Sequence, residues 1–434
     1  MDPLITGTIG LIILVVLIFL RMPIGLVMAT VGFAGIFYLR GFDVAFSSLA
    51  ATCFSNTTIY ALCVLPLFLL MGQITVVAEM SKDIYSATYK WFGHLPGGLA
   101  IATTAACAAF AAICGDALTG TATMASVSLP EMRKYRYSME HASGCIAAGG
   151  TLGILIPPSI ILILYGFLTE QSIGSLFIAG FLPGLLLALF YCLVSIFICT
   201  FRPEHGPRGP KFGLLEQLAE FKHVWSILVL FGLIIGGIYS GIFTPNEAGA
   251  VGAFGAFIIL IVKRRFNKKN VYSSLLETMR LMGFIFLILI GAMVFSVFLS
   301  LSQMPYALTN FLVTLGLPPI ATMLVIILIF IIFGCFIDSL ALVLLFTPIF
   351  FPVVVSMGFD PIWFGVIIVI VMQQGMMTPP VGMSCFIISA VAKDVPLSTV
   401  FRGVIPFWIA TIAIIIILII FPQITLFLPS LMPK

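Results

Sequence analysis

Apolar residues fill this chain in long runs with almost no charge inside them. The runs cover about residues 4–20, 22–39, 56–78, 138–168 and 172–201. A polar linker, Arg202 to Lys222, follows. The runs then resume at about 224–242, 246–262, 279–303, 360–392 and 403–426. Each is long enough to cross ~30 Å of hydrocarbon as a helix rising ~1.5 Å per residue. Two more runs, 98–130 and 319–355, each carry an acid and small or helix-breaking residues near the middle. Each reads as a re-entrant helical hairpin that enters and leaves on the same side.

The pattern occurs twice. At an offset of 222 residues, Pro23 meets Pro245, Asp116 meets Asp338, Pro130 meets Pro352 and Gly153 meets Gly375. The pair Pro157-Pro158 meets Pro379-Pro380. Matches of Leu with Ile would say little, but these residues break helices or carry charge. The expected fold is therefore an all-α polytopic membrane protein built from an inverted repeat. Residues 1–201 form a first half of five spans, with hairpin 98–130 and broken helix 138–168. Residues 202–222 link it to a second half, 223–434, with hairpin 319–355 and broken helix 360–392. Membrane chains with this duplication and with breaks inside apolar segments are typically secondary transporters.

Composition narrows the class. The chain is 61% hydrophobic and 8% charged, with mean hydropathy +1.24. No soluble chain of 434 residues hides that much apolar surface, so the solvent is lipid. The first run lacks the basic start and cleavage site of a signal peptide. Five spans per half is an odd number, so the second half is inverted. With the linker in the cytoplasm, 18 of the 20 Lys and Arg residues fall on that side, from Arg21 and Lys82 to Lys393 and Arg402. Only Arg40 and Lys434 fall outside. The basic residues sit in short loops, which gives no signal for nucleic acid. The nine cysteines show no CxxC and no metal spacing. There is no Walker A motif, so ATP does not drive this chain directly. Glu247, after Pro245-Asn246 at a span start, reads as a helix cap.

The candidate chemistry sits at the interruptions. Asp116 and Asp338 fall at the expected hairpin tips, with small polar neighbours Thr119, Thr121, Thr123 and Ser339 and no basic residue in either hairpin. A charge at mid-bilayer costs a few kcal/mol at least and faces a polar cavity or a partner. A carboxylate beside backbone carbonyls suits Na⁺ or a proton; capping of its own helix is the other reading. The segments Gly149 to Ser159 and Gln373 to Gly382 break the fourth and ninth spans. Proline lacks an N–H and clashes with the preceding turn, so each Pro pair unwinds its helix; a purely structural kink is the other reading. Carbonyls freed there can hold a cation, and the half-helix that follows points its N–H groups at an anion. The expected cation ligands are Gly115, Gly150, Gly153, Ile156, Gly334, Asp338, Gly375 and Thr378. The anion is expected at Asp116, Thr119, Pro158, Ser159 and Asp338.

These motifs resemble a known family. Leu65-Pro66-Leu67-Phe68, Pro130-Glu131-Met132, Gly149-Gly150-Thr151-Leu152-Gly153 and Pro157-Pro158-Ser159 carry the resemblance in the first half. Phe177 to Gly184 extends it. Gly241 to Ala248, Phe336-Ile337-Asp338, Leu345-Phe346-Thr347-Pro348 and Thr378 to Met383 carry it in the second. Over nearly its whole length the chain resembles the DctM-like large membrane subunit of TRAP transporters, the tripartite ATP-independent periplasmic systems. The resemblance implies a small four-helix membrane subunit (DctQ-like) and a periplasmic substrate-binding protein as partners. It implies Na⁺-driven import of an organic anion such as a C4-dicarboxylate, keto acid or sialic acid. It also implies an elevator-type fold in the bacterial inner membrane, with both termini periplasmic by the charge count. One departure stands out: many members carry Ser-Gly-Ser at the first tip, where this chain has Cys114-Gly115-Asp116.

Two other classes share some of these features. Intramembrane aspartyl proteases need Asp on full spans in Tyr-Asp and Gly-x-Gly-Asp contexts; here the contexts are Cys-Gly-Asp and Phe-Ile-Asp. A stand-alone Na⁺- or H⁺-coupled anion symporter of related fold differs by needing no small partner. The expectation is a transporter and no enzyme.

Overall fold

A computed structural model describes residues 2–20, 22–57, 59–314 and 318–432. Arg21 and Lys434, which enter the charge count above, lie outside the described residues. The first half consists of α1 Pro3–Phe19, α2 Ile24–Arg40, α3 Phe42–Thr57, α4 Val64–Val77, α5 Met80–Phe92, α6 Gly98–Cys114, α7 Ala117–Lys134, α8 Met139–Thr151, α9 Ile160–Thr169 and α10 Ile173–Phe201. A short α11, Leu214–Ala219, lies in the linker. The second half consists of α12 Phe221–Tyr239, α13 Pro245–Val262, α14 Lys268–Leu301, α15 Met304–Thr314, α16 Pro319–Gly334, α17 Ser339–Ser356, α18 Pro361–Met377, α19 Met383–Val391, α20 Leu397–Ile420 and α21 Gln423–Ser430. No strand occurs among the described residues.

Helix boundaries follow the sequence spacing. The first and last residues of α7 and α17 both differ by 222, and so do the first residues of α8 and α18. One stretch departs from it: α14 is a single helix where the first half has two, α3 and α4. Asn267 caps α14 by accepting from the Asn270 amide at 2.7 Å. That cap starts the helix eleven residues before the apolar run expected at 279. The third run, expected at 56–78, is a helical segment from Tyr60 to Val77, with α3 separate before it. The helices α3, α5 and α15 were not expected. Each mixes polar with apolar positions, so hydropathy alone passes over it.

Seven helical segments among the described residues are long and apolar enough to span a bilayer. The ten expected spans yield fewer because two of them are broken, into α8 and α9 and into α18 and α19. α1 and α2 have 17 residues each, about 26 Å at the helical rise. α17, expected as half of a hairpin, reaches span length by itself. Outward faces carry bare apolar side chains, such as Ile12 on α1, Phe197 on α10 and Leu228 on α12. Such surfaces suit lipid and not water.

Small residues set the helix crossings. In lipid no hydrophobic force draws helices together, so close backbone approach supplies dispersion contact. α2 crosses α14 where a Cβ on Gly25 would lie 2.7 Å from the Leu287 carbonyl. α8 crosses α20 where Gly144 meets the Gly403 carbonyl and Gly403 meets the Glu140 carbonyl. Replacing Gly403 by Val should therefore separate α8 from α20 and destabilise the fold by roughly 1–3 kcal/mol. Gly232→Val, on an open face of α12, should leave melting unchanged. Thermal unfolding of the two purified variants checks this; equal melting would reject the crossing as a stability determinant.

Candidate functional site

Each hairpin tip is held by its own aspartate. Gly115, at φ +66, reverses the chain after α6, a conformation that side chains resist. Asp116 then caps α7: its Oδ2 accepts from the Thr119 amide at 2.8 Å. Asp338 caps α17, with Oδ2 accepting from the Leu340 amide at 3.0 Å. The capping reading is thus present in both halves. Both carboxylates are half-buried. Neither forms an ion pair with a basic side chain among the described residues.

The broken helices meet these tips backbone to backbone. α8 runs into a single 3-10 turn, Leu152–Ile154. Pro157-Pro158 follows, and Ser159 caps α9 by accepting from the Leu162 amide at 3.3 Å. A Cβ on Gly115 would lie 2.6 Å from the Pro158 carbonyl, and one on Gly153 would lie 3.0 Å from the Asp116 carbonyl. The Ile160 amide donates to the Gly115 carbonyl at 3.3 Å. In the second half a Cβ on Gly375 would lie 2.5 Å from the Gly334 backbone. The Val381 amide donates to the Cys335 carbonyl at 3.3 Å. The halves also interlock: α7 packs on α8 and on α19, while α17 packs on α18 and on α9.

Most of the expected site residues therefore come together. Gly115, Asp116, Thr119, Gly150, Gly153 and Pro158 surround one tip; Gly334, Asp338 and Gly375 surround the other. Three others make internal contacts of their own. The Ser159 hydroxyl is fully buried, donates to the Ile154 carbonyl and accepts from the Leu162 amide, which leaves one lone pair. The Ile156 side chain turns to α10, where a Cβ on Gly184 would touch it at 2.6 Å. The Thr378 hydroxyl donates to the Gln374 carbonyl at 2.6 Å and accepts from Trp408 Nε1 at 2.9 Å. One of its lone pairs is left for a ligand.

Other residues of the site escaped the sequence reading. Gln373 Nε2 donates to Thr151 Oγ1 at 2.8 Å and to Tyr191 Oη at 3.3 Å. Tyr191 Oη pairs with Thr411 Oγ1 at 2.7 Å. This buried network joins α18, α8, α10 and α20. Its signal was available, since Thr151 and Gln373 stand 222 apart and are polar within apolar segments. Trp408 gave none, because an aromatic in an apolar span is ordinary. Around the first tip, Asp116, Gly120, Gly150 and Gly153 line a narrow void without room for a water molecule. Thr121 lies against Gly150 there, with its hydroxyl buried and unpartnered among the described residues. The carboxylate of Asp116, the Thr121 hydroxyl and the backbone carbonyls nearby are hard oxygen donors of the kind Na⁺ takes, although Cys107 and Met124 also line the void.

This is an all-helical polytopic membrane protein in which duplicated hairpins close on duplicated helix breaks. A solved structure shares its fold: the Alcanivorax borkumensis YdaH transporter, described as having an unusual topology, matches with TM-score 0.64 and 13% identity over 90% of this chain and 88% of that one. The model of the tripartite ATP-independent periplasmic transporter DctM component matches residues 11–424, and the chain belongs to that family. Curated relatives agree. The C4-dicarboxylate TRAP transporter large permease protein DctM of Pseudomonas aeruginosa is 38% identical over 88% of this chain and 89% of that protein. The sialic acid TRAP transporter large permease protein SiaM of Vibrio cholerae is 32% identical over 96% of each.

Thr121→Val separates packing from ligation. Removing an unpaired buried hydroxyl should leave Na⁺-free stability unchanged or slightly raised. If Na⁺ raises the melting temperature of the unaltered protein and this hydroxyl ligates it, the variant should lose much of that gain. An undiminished Na⁺ response would assign Thr121 to packing alone.

Proposed function

We propose that this chain is the transport subunit of a Na⁺-coupled importer of a small organic carboxylate in the bacterial inner membrane. A periplasmic binding protein delivers the anion, and a small four-helix membrane subunit completes the complex. The observation that carries this reading is the paired closure of hairpin tips on helix breaks. It sets hard oxygen ligands beside the N-terminal ends of α9 and α19, which favour negative charge. Na⁺ binding beside each carboxylate would neutralise the tips and admit the anion. The substrates named for the relatives, C4-dicarboxylates and sialic acid, are carboxylates, which fits such a site.

The coupled motion is an elevator-like displacement of the hairpins and broken helices against the rest, with the second half inverted. Ion pairs support the sidedness behind it. Lys90 pairs with Glu220, Lys263 with Asp83, Arg265 with Glu79 and Arg133 with Asp394. Each bond joins segments that the charge count puts together on one side, the cytoplasmic side in this reading. The Arg133 hydrogen bond holds the Asp394 carboxyl below its ordinary range. That pair forms above the ordinary carboxylate range and is lost as pH falls through the lowered value.

Two measurements test the proposal. Asp338→Asn keeps a good helix cap but removes a negative charge beside the cation. Reconstituted uptake should then need at least about ten-fold more Na⁺, which requires only about 1.4 kcal/mol of lost attraction. High Na⁺ should partly restore the rate. Unaltered Na⁺ dependence in the variant, or wild-type uptake that follows a proton gradient without Na⁺, would reject the coupling. In the second measurement, liposomes carrying only the membrane subunits should take up substrate at a useful rate only after the binding protein is added. Full-rate uptake without it would favour a stand-alone symporter.

A further inference from the structure

A second polar cavity lies away from the hairpin tips. It holds about 290 Å³ and opens where α8, α10 and α20 come together at one end of the molecule. Arg202, at the end of α10, and Arg402, in the first turns of α20, line it with His141 and His205. Both arginines are exposed, and neither forms an ion pair or side-chain hydrogen bond among the described residues. His141 is 2% exposed, stacks on Phe407 at 5.9 Å, and leaves Nε2 without a hydrogen-bond partner. Buried polar atoms are nearly always satisfied, so an orphan beside a cavity points to a missing ligand. Glu140 also lines the cavity. Two guanidiniums against one carboxylate still leave an excess of positive charge.

The rim has a different character. Phe197 and Phe201 line the mouth, 65% and 71% exposed, with ring centroids 4.6 Å apart. They face the region that lipid occupies, one helical turn before the chain turns polar at Arg202. A charged floor under an aromatic rim at the membrane boundary suits an amphiphile. Guanidinium forks match phosphate oxygens, and basic pockets between helices at this depth accept lipid head groups.

We propose that this cavity binds the phosphate head group of an anionic phospholipid. Arg202 and Arg402 hold the phosphate oxygens, His141 Nε2 completes the contact, and an acyl chain lies along Phe197 and Phe201. The site ties together the ends of α8, α10 and α20. It therefore braces the Gly144–Gly403 crossing from which α8 runs to its break.

The test uses the detergent-purified full chain, titrated with phosphatidylglycerol, phosphatidylcholine or inorganic phosphate. Native mass spectrometry counts adducts and thermal unfolding reads stabilisation. Phosphatidylglycerol should bind and raise the melting temperature, and the double variant Arg202→Gln/Arg402→Gln should bind it at least about ten-fold more weakly. Lys82→Gln, an exposed basic residue elsewhere, should bind it normally. Phe197→Gln should weaken lipid binding while leaving the guanidiniums in place. Equal binding of phosphatidylcholine, undiminished binding by the double variant, or the same stabilisation by inorganic phosphate alone would each overturn the lipid assignment; the last would point to a soluble phosphate ligand.

Discussion

Backbone polar groups in the middle of a bilayer must find partners inside the protein, because lipid offers none. That constraint governs the arrangement of this chain. Two Pro pairs unwind two helices inside apolar segments. Side chains recover several of the freed carbonyls: Ser159 takes that of Ile154, Thr378 takes that of Gln374 and Cys385 takes that of Met377. The amide just after each Pro pair, Ile160 or Val381, donates across to a hairpin tip. The tips in turn cap themselves with Asp116 and Asp338. Neither hairpin nor break would be stable at that depth without the other.

This mutual dependence explains where bulk is forbidden. The tips approach the breaks along backbone, so Gly115, Gly153 and Gly375 leave no room for a side chain. Any oxygen not consumed by internal bonding stays beside a half-buried carboxylate. Such a site is closed to water but rich in fixed dipoles, the setting in which a small cation replaces its hydration shell with protein oxygen. The same economy appears in the Thr151–Gln373–Tyr191–Thr411 network, which fixes the two broken helices to their neighbours through a few buried hydrogen bonds. Gln373 Oε1 and Gln374 Oε1 remain unpaired and buried among the described residues, so polar capacity is left over beside the second break.

Much of this was legible in the sequence because helix breakers and intramembrane acids are rare enough to align. The offset of 222 gave both hairpins and both breaks, and α7 and α17 keep it at both ends. Apolar runs located the long helices but not α3, α5 and α15, in which polar residues interrupt the apolar ones. The start of α14 escaped because it is set by the Asn267 cap and not by the apolar run. Side-chain roles were legible only where one residue type has few options. A carboxylate at a hairpin tip must cap, ligate or do both. A hydroxyl beside a break has more choices, and Ser159 and Thr378 each give their proton to a carbonyl of their own break. The direction of the Ile156 side chain was not legible, because within an irregular segment sequence gives no period from which to read it.

The two halves share a backbone plan but not a ligand set. Aligned at 222, Thr121 meets Val343, Gly150 meets Met372, Ser159 meets Val381 and Ile156 meets Thr378. The first tip thus has a free buried hydroxyl with no counterpart in the second. The second break has a hydroxyl held by Trp408 with no counterpart in the first. Duplication supplies two places where the main chain is open, and divergence decides how each is filled. A chain that keeps both aspartates while exchanging every neighbouring hydroxyl has retained the charge and varied the remaining contacts. The physics favours that outcome: a carboxylate attracts a cation over a range that tolerates small displacements, whereas a hydroxyl ligand contributes only in contact.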